Sequence, residues 1–501
     1  MVSRQTGNRK IDSLCSAIRP TCYYFLRIPP HSRLQFKNLP LGDDFSTSAM
    51  AERATTRPKG IATYFDFARV GTNSRTELIA GLSTYLALTP SFILIPTVLS
   101  KSGIDPSAVL FAVVVAGSLS TIGMGLWANL PFAVSAGIET AGFFAFVVCG
   151  TLHMSWQDGL GAVFISGLLC LLLTAVRVRK DIIDSIPSGL KAAIGTSIGV
   201  FVATIGLNLA GIVVFKNGHV DLSSLSFVLL AAKPALVLYT GLCLALLFGV
   251  TRFKFPGGML LAIVAAAAVC ATLGITSDAA PRISARMFQA VGKLNLRVVA
   301  DPRFWSPILV FVVIDFLGGI GKFIGLTANT NIQDMDGNVP NLKSALYVDG
   351  AGTVLGSLLG TSSLIAFIES AVGIEAGGRT GLTAVVCGML MAASIGVAPL
   401  MHWIPSVAIS GVLLFVGYLL LPGAGKGGIQ LTSVRFDIIV SVIMGLVSFV
   451  TFGLDKALAV GFWAYFIRCI TTRGTSTLQR IWLGAIALLL SGTIAWQALV
   501  A

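Results

Sequence analysis

Charge is scarce in this sequence. Only 11% of its 501 residues are Asp, Glu, Lys or Arg, while 55% are hydrophobic. Soluble globular domains carry roughly 25% charged residues, and a water-facing shell cannot be built from less than half of that. Histidine is scarcer still, with four copies (His31, His153, His219, His402), and neither an HExxH motif nor a Ser/His constellation occurs, so an enzyme is not expected. The eight cysteines include no CxxC pair, and most sit in apolar stretches where a thiol behaves as a small apolar residue; neither a zinc site nor a disulfide framework follows. No cofactor or metal is expected. The formal charge of +13 does not point to nucleic acid, because twelve of the 35 Lys and Arg lie in residues 1–77 and most others occupy short connections between apolar runs. That distribution is a topology signal.

What the chain has in quantity is apolar runs close to the ~20 residues that cross a bilayer as a helix. They fall near 78–98, 107–127, 131–149, 160–176, 188–213, 235–250 and 257–274, and again near 306–326, 346–360, 363–376, 382–400, 404–421, 436–453 and 455–470. Seven plus seven predicts an all-α polytopic membrane protein whose second half is inverted relative to its first, the logic of many secondary transporters. The boundaries expected are a basic, disordered N-terminal tail over 1–63, a first transmembrane repeat over 64–275 and a hydrophilic connecting loop over 276–305. A second repeat over 306–471 and an apolar C-terminal segment over 472–501 complete the chain. The tail lacks the apolar stretch of a secretory signal, an organellar presequence is the lesser alternative, and Met50 offers a second start. Fifty-four glycines suit close helix approach in lipid. With a cytoplasmic N-terminus, Arg177, Arg179 and Lys180, Arg252 and Lys254, Arg379, Lys426 and Arg435, and Arg468 and Arg473 all fall inside. The 276–303 stretch, with Arg282, Arg286, Lys293 and Arg297, conflicts by falling outside.

The two halves echo each other. Ser135-Ala136-Gly137-Ile138-Glu139-Thr140-Ala141-Gly142 in the third segment is matched by Ser370-Ala371-Val372-Gly373-Ile374-Glu375-Ala376-Gly377-Gly378 in the tenth. Because a charge at the bilayer centre costs at least ~2.5 kcal/mol, intramembrane ionisable groups are candidate functional residues. Four stand out: Glu139, Asp315, Lys322 and Glu369. Glu139 follows Pro131 among small residues, and Glu369 precedes Gly373, so both belong to segments where a helix is expected to break and expose backbone groups to a ligand. The alternative is that these acids satisfy freed donors or pair with Lys322. Asp315 and Lys322 share one helix face about 10 Å apart, with Gly318 and Gly319 between them, and cannot meet unless the helix unwinds. Their plainer reading is capping by Asp315 and snorkelling by Lys322.

Several motifs carry a family resemblance. Arg75-Thr76-Glu77-Leu78-Ile79-Ala80-Gly81-Leu82-Ser83-Thr84-Tyr85, Asn129-Leu130-Pro131-Phe132-Ala133, Pro187-Ser188-Gly189-Leu190-Lys191-Ala192-Ala193-Ile194-Gly195 and the long run Ile368 to Val386 resemble the azaguanine-type branch of the nucleobase:cation symporters (xanthine/uracil permeases) over residues 64–470. The resemblance implies fourteen helices in a seven-plus-seven inverted repeat with core and gate domains, and proton-coupled purine uptake. It also implies a tenth-segment acid, here Glu369, that binds the base. Departures are visible too. The first segment has Ile95-Pro96 where relatives place Asn-Pro. The third has Glu139-Thr140-Ala141-Gly142 for Gly-Leu-Asn-Ala. The eighth has Gly318-Gly319 where a second acid and Thr are usual, with Lys322 at a small polar position.

The expectation is therefore a secondary active transporter of purine-type nucleobases in the plasma membrane, working by an elevator-like movement. Glu369, Phe132, Glu139, Gly318 and Gly319 form the expected substrate site, and Asp315, Lys322 and Glu139 the intramembrane charges. Lys322 is expected to pair with Glu139, since the two departures compensate each other. The partners expected are a nucleobase-like solute, a coupling proton and the bilayer, with a homodimer left open and nucleic acid excluded. An anionic or other small polar cargo on the same fold, or a non-transporting paralogue, are the alternatives.

Overall fold

The computed structural model describes residues 60–176, 186–216, 219–221, 258–272, 285–327, 330–333, 339–396, 406–421, 435–472 and 476–500, with positions 241 and 249. The span expected at 235–250, most of the N-terminal tail and the basic loops around Arg179, Lys254 and Lys426 lie outside these residues.

Two single-turn helices, Ile61–Tyr64 and Phe67–Val70, lead into the first long segment. That segment is α1 (Ser74–Leu88) followed by α2 (Ser91–Leu99), which together cover the apolar run read at 78–98. Pro90 lacks an N–H and interrupts the hydrogen-bond ladder between them, while Thr89 and Pro90 keep helical dihedrals. The Asn73 side chain starts α1 by accepting from Thr76 N–H at 3.0 Å, and Asp105 does the same for α3 (Pro106–Gly123), whose first residue is the proline that suits an N-terminus. α3 widens into a π-helical turn over Met124–Ala128.

The third segment is not a continuous helix. It runs as strand β1 (Val134–Ala136), then helix α4 (Ile138–Gly142), which continues in π geometry over Phe143–Thr151. Next come α5 (Trp156–Ala175), α6 (Ser188–Leu209) and α7 (Gly258–Thr272). The second half opens with α8 (Trp305–Thr327) and α9 (Leu342–Leu359), followed by strand β2 (Leu364–Ala366) and the short helix α10 (Ser370–Glu375). α11 (Gly381–Ala393), α12 (Ser406–Leu419), α13 (Arg435–Thr451) and α14 (Leu454–Thr471) complete it. The leftover C-terminal run forms a helix of its own, α15 (Thr477–Val500).

The helices pack in two groups. α1, α3, α5, α8, α9, α10 and α11 pack on one another, and α6, α12, α13 and α14 form the second group, with α4 touching α6 across the boundary. Glycine sets the closest approach within the first group: a Cβ on either Gly125 or Gly381 would run into the other's backbone, so the end of α3 and the start of α11 meet main chain to main chain. Among the described residues, four stretches, Ser74–Ser102 (α1 and α2 together), Pro106–Ala128, Trp156–Ala175 and Ser188–Leu209, are helical and long and apolar enough to cross a bilayer, with mean hydropathies of 1.7 to 2.1. The outward faces are apolar as well. On α13 the exposed residues include Ile438, Ile439, Val442, Ile443, Leu446 and Val450, a continuous patch that water would penalise and lipid tails accept.

Candidate functional site

The site is built where the two broken segments meet. β1 and β2 pair antiparallel with Val134 opposite Ala366, Ser135 opposite Ile365 and Ala136 opposite Leu364. The ladder is extended by Gly137 N–H donating to Ser363 O at 3.0 Å and Phe367 N–H to Ala133 O at 2.9 Å. Strands this short cannot saturate their own polar groups, and neighbouring hydroxyls finish the task in both halves alike. Thr121 on α3 donates to Val134 O and accepts from Val134 N–H, both at 2.9 Å. Thr353 on α9 donates to Leu364 O at 3.0 Å and accepts from Leu364 N–H at 3.2 Å. The same threonine clasp thus holds each broken segment to the helix that precedes it, and burial of all four backbone groups demands it.

The pairing brings the candidate acids together. Glu139 sits in the first turn of α4. Glu369 is the N-cap residue of α10, with its side chain making no cap of its own, partly accessible and within electrostatic range of both Lys322 and Glu139. Lys322 reaches across from α8, its Nζ donating to Glu139 Oε1 at 3.2 Å, with the two side chains 15% and 10% exposed. The expected Lys322 to Glu139 pair is therefore present, rather than a Lys322 to Glu369 pair or a lysine reaching for an interface. Either charge alone would cost several kcal/mol in the membrane interior; together they cancel.

α8 is helical throughout, so Gly318 and Gly319 do not unwind it, and Asp315 and Lys322 stay two turns apart. Asp315 instead accepts a short hydrogen bond from Ser363 Oγ, just before β2. Between the two charged residues on that face α8 offers no side chain at Gly318 and Gly319. The Phe132 ring is fully buried and meets Phe323, the neighbour of Lys322, edge to face at 5.0 Å. That contact packs the ring against α8.

The sequence reading missed four buried acids, Glu77, Asp349, Asp437 and Asp455, of which Glu77 and Asp437 hold hydrogen-bonded clusters. Glu77 on α1 has no exposed surface. It accepts from Arg379 N–H at 2.9 Å and Thr72 Oγ1 at 2.9 Å through Oε1, and from Thr383 Oγ1 at 2.6 Å and Thr380 N–H at 3.3 Å through Oε2. It thereby fixes the turn that carries the chain from α10 into α11. Its signal in the sequence was an acid in a helix's first turn, which reads as an exposed dipole partner. Asp437 on α13 accepts from Tyr465 Oη at 2.6 Å and Arg468 Nη1 at 2.7 Å beside a cavity of about 280 Å³ at the start of α6. That cluster belongs to the second helix group, away from the paired strands. Among the described residues no group of three His, Cys, Asp or Glu is placed to hold a metal. In the loop before α8, outside the spans, half-buried Asp301 is held below its usual carboxylate range by hydrogen bonds from the Arg303 side chain and backbone.

Comparison with known proteins adds to this geometry. The sequence profile of a permease family matches residues 75–456. The adenine permease AdeP of Escherichia coli (strain K12) is 33% identical over 445 residues, covering 86% of this chain and 95% of the relative. The guanine/hypoxanthine permease GhxP of Escherichia coli O157:H7 is 32% identical over 410 residues, 79% of this chain and 88% of the relative. Among solved structures, the transmembrane domain of the cyanobacterium bicarbonate transporter BicA superposes with a TM-score of 0.59 at 17% identity, covering 77% of this chain and 97% of that domain. At that identity the likeness concerns the fold.

Proposed function

Because this chain belongs to the permease family, on the azaguanine-type nucleobase branch that its own motifs resemble, we propose that it is a plasma-membrane secondary transporter of purine-type nucleobases, driven by protons. The observation that carries the reading is the β1–β2 junction, which gathers Glu139, Lys322 and Glu369 at two helix breaks in one packed group of helices.

A purine offers ring N–H donors, and a carboxylate is an acceptor of matching strength, so Glu369 is the proposed contact to the base. Asp315, through Ser363, holds the approach to β2, and Gly318 and Gly319 carry no side chain to oppose a flat ring on that face of α8. The fourteen spans of the inverted repeat and an elevator-like movement of the first helix group against the second complete the proposal. The two-group packing and the BicA likeness support it.

A second reading keeps the fold and changes the cargo to a small anion. The BicA likeness and Lys322 favour it. The Glu139 pair weighs against it, since the ammonium is already neutralised at 3.2 Å. One experiment separates the two. Uptake of labelled purines, pyrimidines and organic anions by cells expressing the full chain is measured at two external pH values. Purine uptake that rises with external acidity supports the proposal, and uptake of the anions alone refutes it.

A further inference from the structure

We propose that the Lys322–Glu139 pair makes this transporter discriminate among purines by the group at C6, accepting 6-oxopurines and rejecting the 6-aminopurine. The inference rests on the nucleobase reading and names the substrate class of that same site.

The argument starts from which groups can donate. An ammonium carries three N–H donors and no acceptor, and an ionised carboxylate only accepts. One Lys322 donor is directed at Glu139 Oε1 at 3.2 Å, which fixes where the ammonium stands and leaves two donors to offer. On the same face of α8, Asp315 is committed to Ser363 and positions 318 and 319 have no side chain. Among the described side chains of that face, Lys322 is a polar one that is partly accessible, whereas Asp315 is buried. Glu369, also partly accessible, lies within electrostatic range of it. The site thus presents an ammonium donor beside a carboxylate that accepts while it is ionised.

The Watson–Crick edge of hypoxanthine, guanine or xanthine matches that order, with an acceptor at O6 next to a donor at N1–H. Adenine presents the reverse, a donor amine at C6 next to an N1 lone pair. Adenine therefore sets donor against ammonium and lone pair against carboxylate at once, and a site built of charged hydrogen-bonding groups penalises both mismatches, by about 100-fold together. Likeness to relatives does not decide this, because the adenine permease and the guanine/hypoxanthine permease are 33% and 32% identical to the chain.

The test is competition against uptake of tritiated hypoxanthine into proteoliposomes holding the full chain. Unlabelled guanine should compete at concentrations close to those of hypoxanthine, and adenine should need about 100-fold more. Removing both charges together, Lys322→Thr with Glu139→Gly, leaves the net charge unchanged and should bring adenine's disadvantage below about 10-fold. Lys322→Arg, which keeps charge and donors, should retain the preference for hypoxanthine. Adenine competing as well as hypoxanthine against the unaltered chain overturns the inference and leaves the nucleobase reading standing, as does undiminished discrimination in a folded double variant. A correctly folded chain that takes up no nucleobase at all overturns the nucleobase reading, and this inference with it.

Discussion

Replacing Glu77 by Gln keeps the side chain's shape and removes half of its capacity to accept. Each carboxylate oxygen of Glu77 serves one backbone N–H and one threonine hydroxyl. The amide of Gln must turn an NH2 toward one of these two sets. A threonine can rotate its hydroxyl and accept, but a backbone N–H cannot, so one buried donor is orphaned in either orientation. The cheaper orientation sacrifices Thr380 N–H, whose bond is the longest of the four at 3.3 Å. An orphaned buried donor costs about 1 to 3 kcal/mol, and the surviving bonds weaken from charge-assisted to neutral. The lower desolvation cost of an amide offsets part of this. The net loss expected is about 2 kcal/mol, a fall of about 2 °C in the melting midpoint of the detergent-solubilised protein, followed by fluorescence-detected size exclusion. Glu77→Ala, which strands all four donors, should fall further. Because the turn held by Glu77 follows directly on α10, whose N-cap residue is Glu369, solute uptake should drop with it. A Gln variant melting within a degree of the parent, or an Ala variant no worse than Gln, would show that water satisfies these donors and that the clamp is not structural.

Other outcomes follow from the same geometry. Glu369→Gln should abolish or strongly reduce purine uptake at unchanged surface expression, checked by transport assay beside surface biotinylation; normal uptake would assign Glu369 to structure. Lys322→Ala and Glu139→Ala should each lower folded yield, because each strands a charge that costs about 3 to 5 kcal/mol once unpaired, while the double variant recovers part of the loss. A double variant no better than the sum of the singles would refute the pairing. Gly373→Ala should destabilise the α1–α10 contact, since its Cβ would strike Thr84 Oγ1 and lie 2.8 Å from Ala80 O. Thr84→Ala in the same chain should restore only part of the melting temperature, as the backbone carbonyl stays in place.

How much of this was legible beforehand depends on the range of the force involved. The membrane class followed from composition, because water and lipid sort residues by their own polarity whatever the fold. Some helix positions followed to within a few residues, as at 306–326 against Trp305–Thr327, since burial in hydrocarbon needs a fixed length of apolar helix. The interruption of the helix ladder at Pro90 was not read, although it rests on a local rule. The pair between Glu139 and Lys322 was legible because two isolated charges of opposite sign in a low-dielectric interior have few ways to be tolerated.

What the chain alone did not reveal lies in contacts between distant residues. β1 and β2 are three residues each and lie 230 positions apart, too short to carry an alternating pattern that would announce them. Glu77 resembled any acid at a helix start until the fold laid the turn of Arg379 and Thr380 over it. Asp315 and Ser363 became partners only when α8 crossed β2, and Phe132 became a buried packing ring only against Phe323. Sequence determined which residues could not face lipid unaccompanied, because desolvation is a property of each group. Tertiary structure decided what accompanies them, because hydrogen bonds and ion pairs act over about 3 Å and depend on which segments the chain brings together.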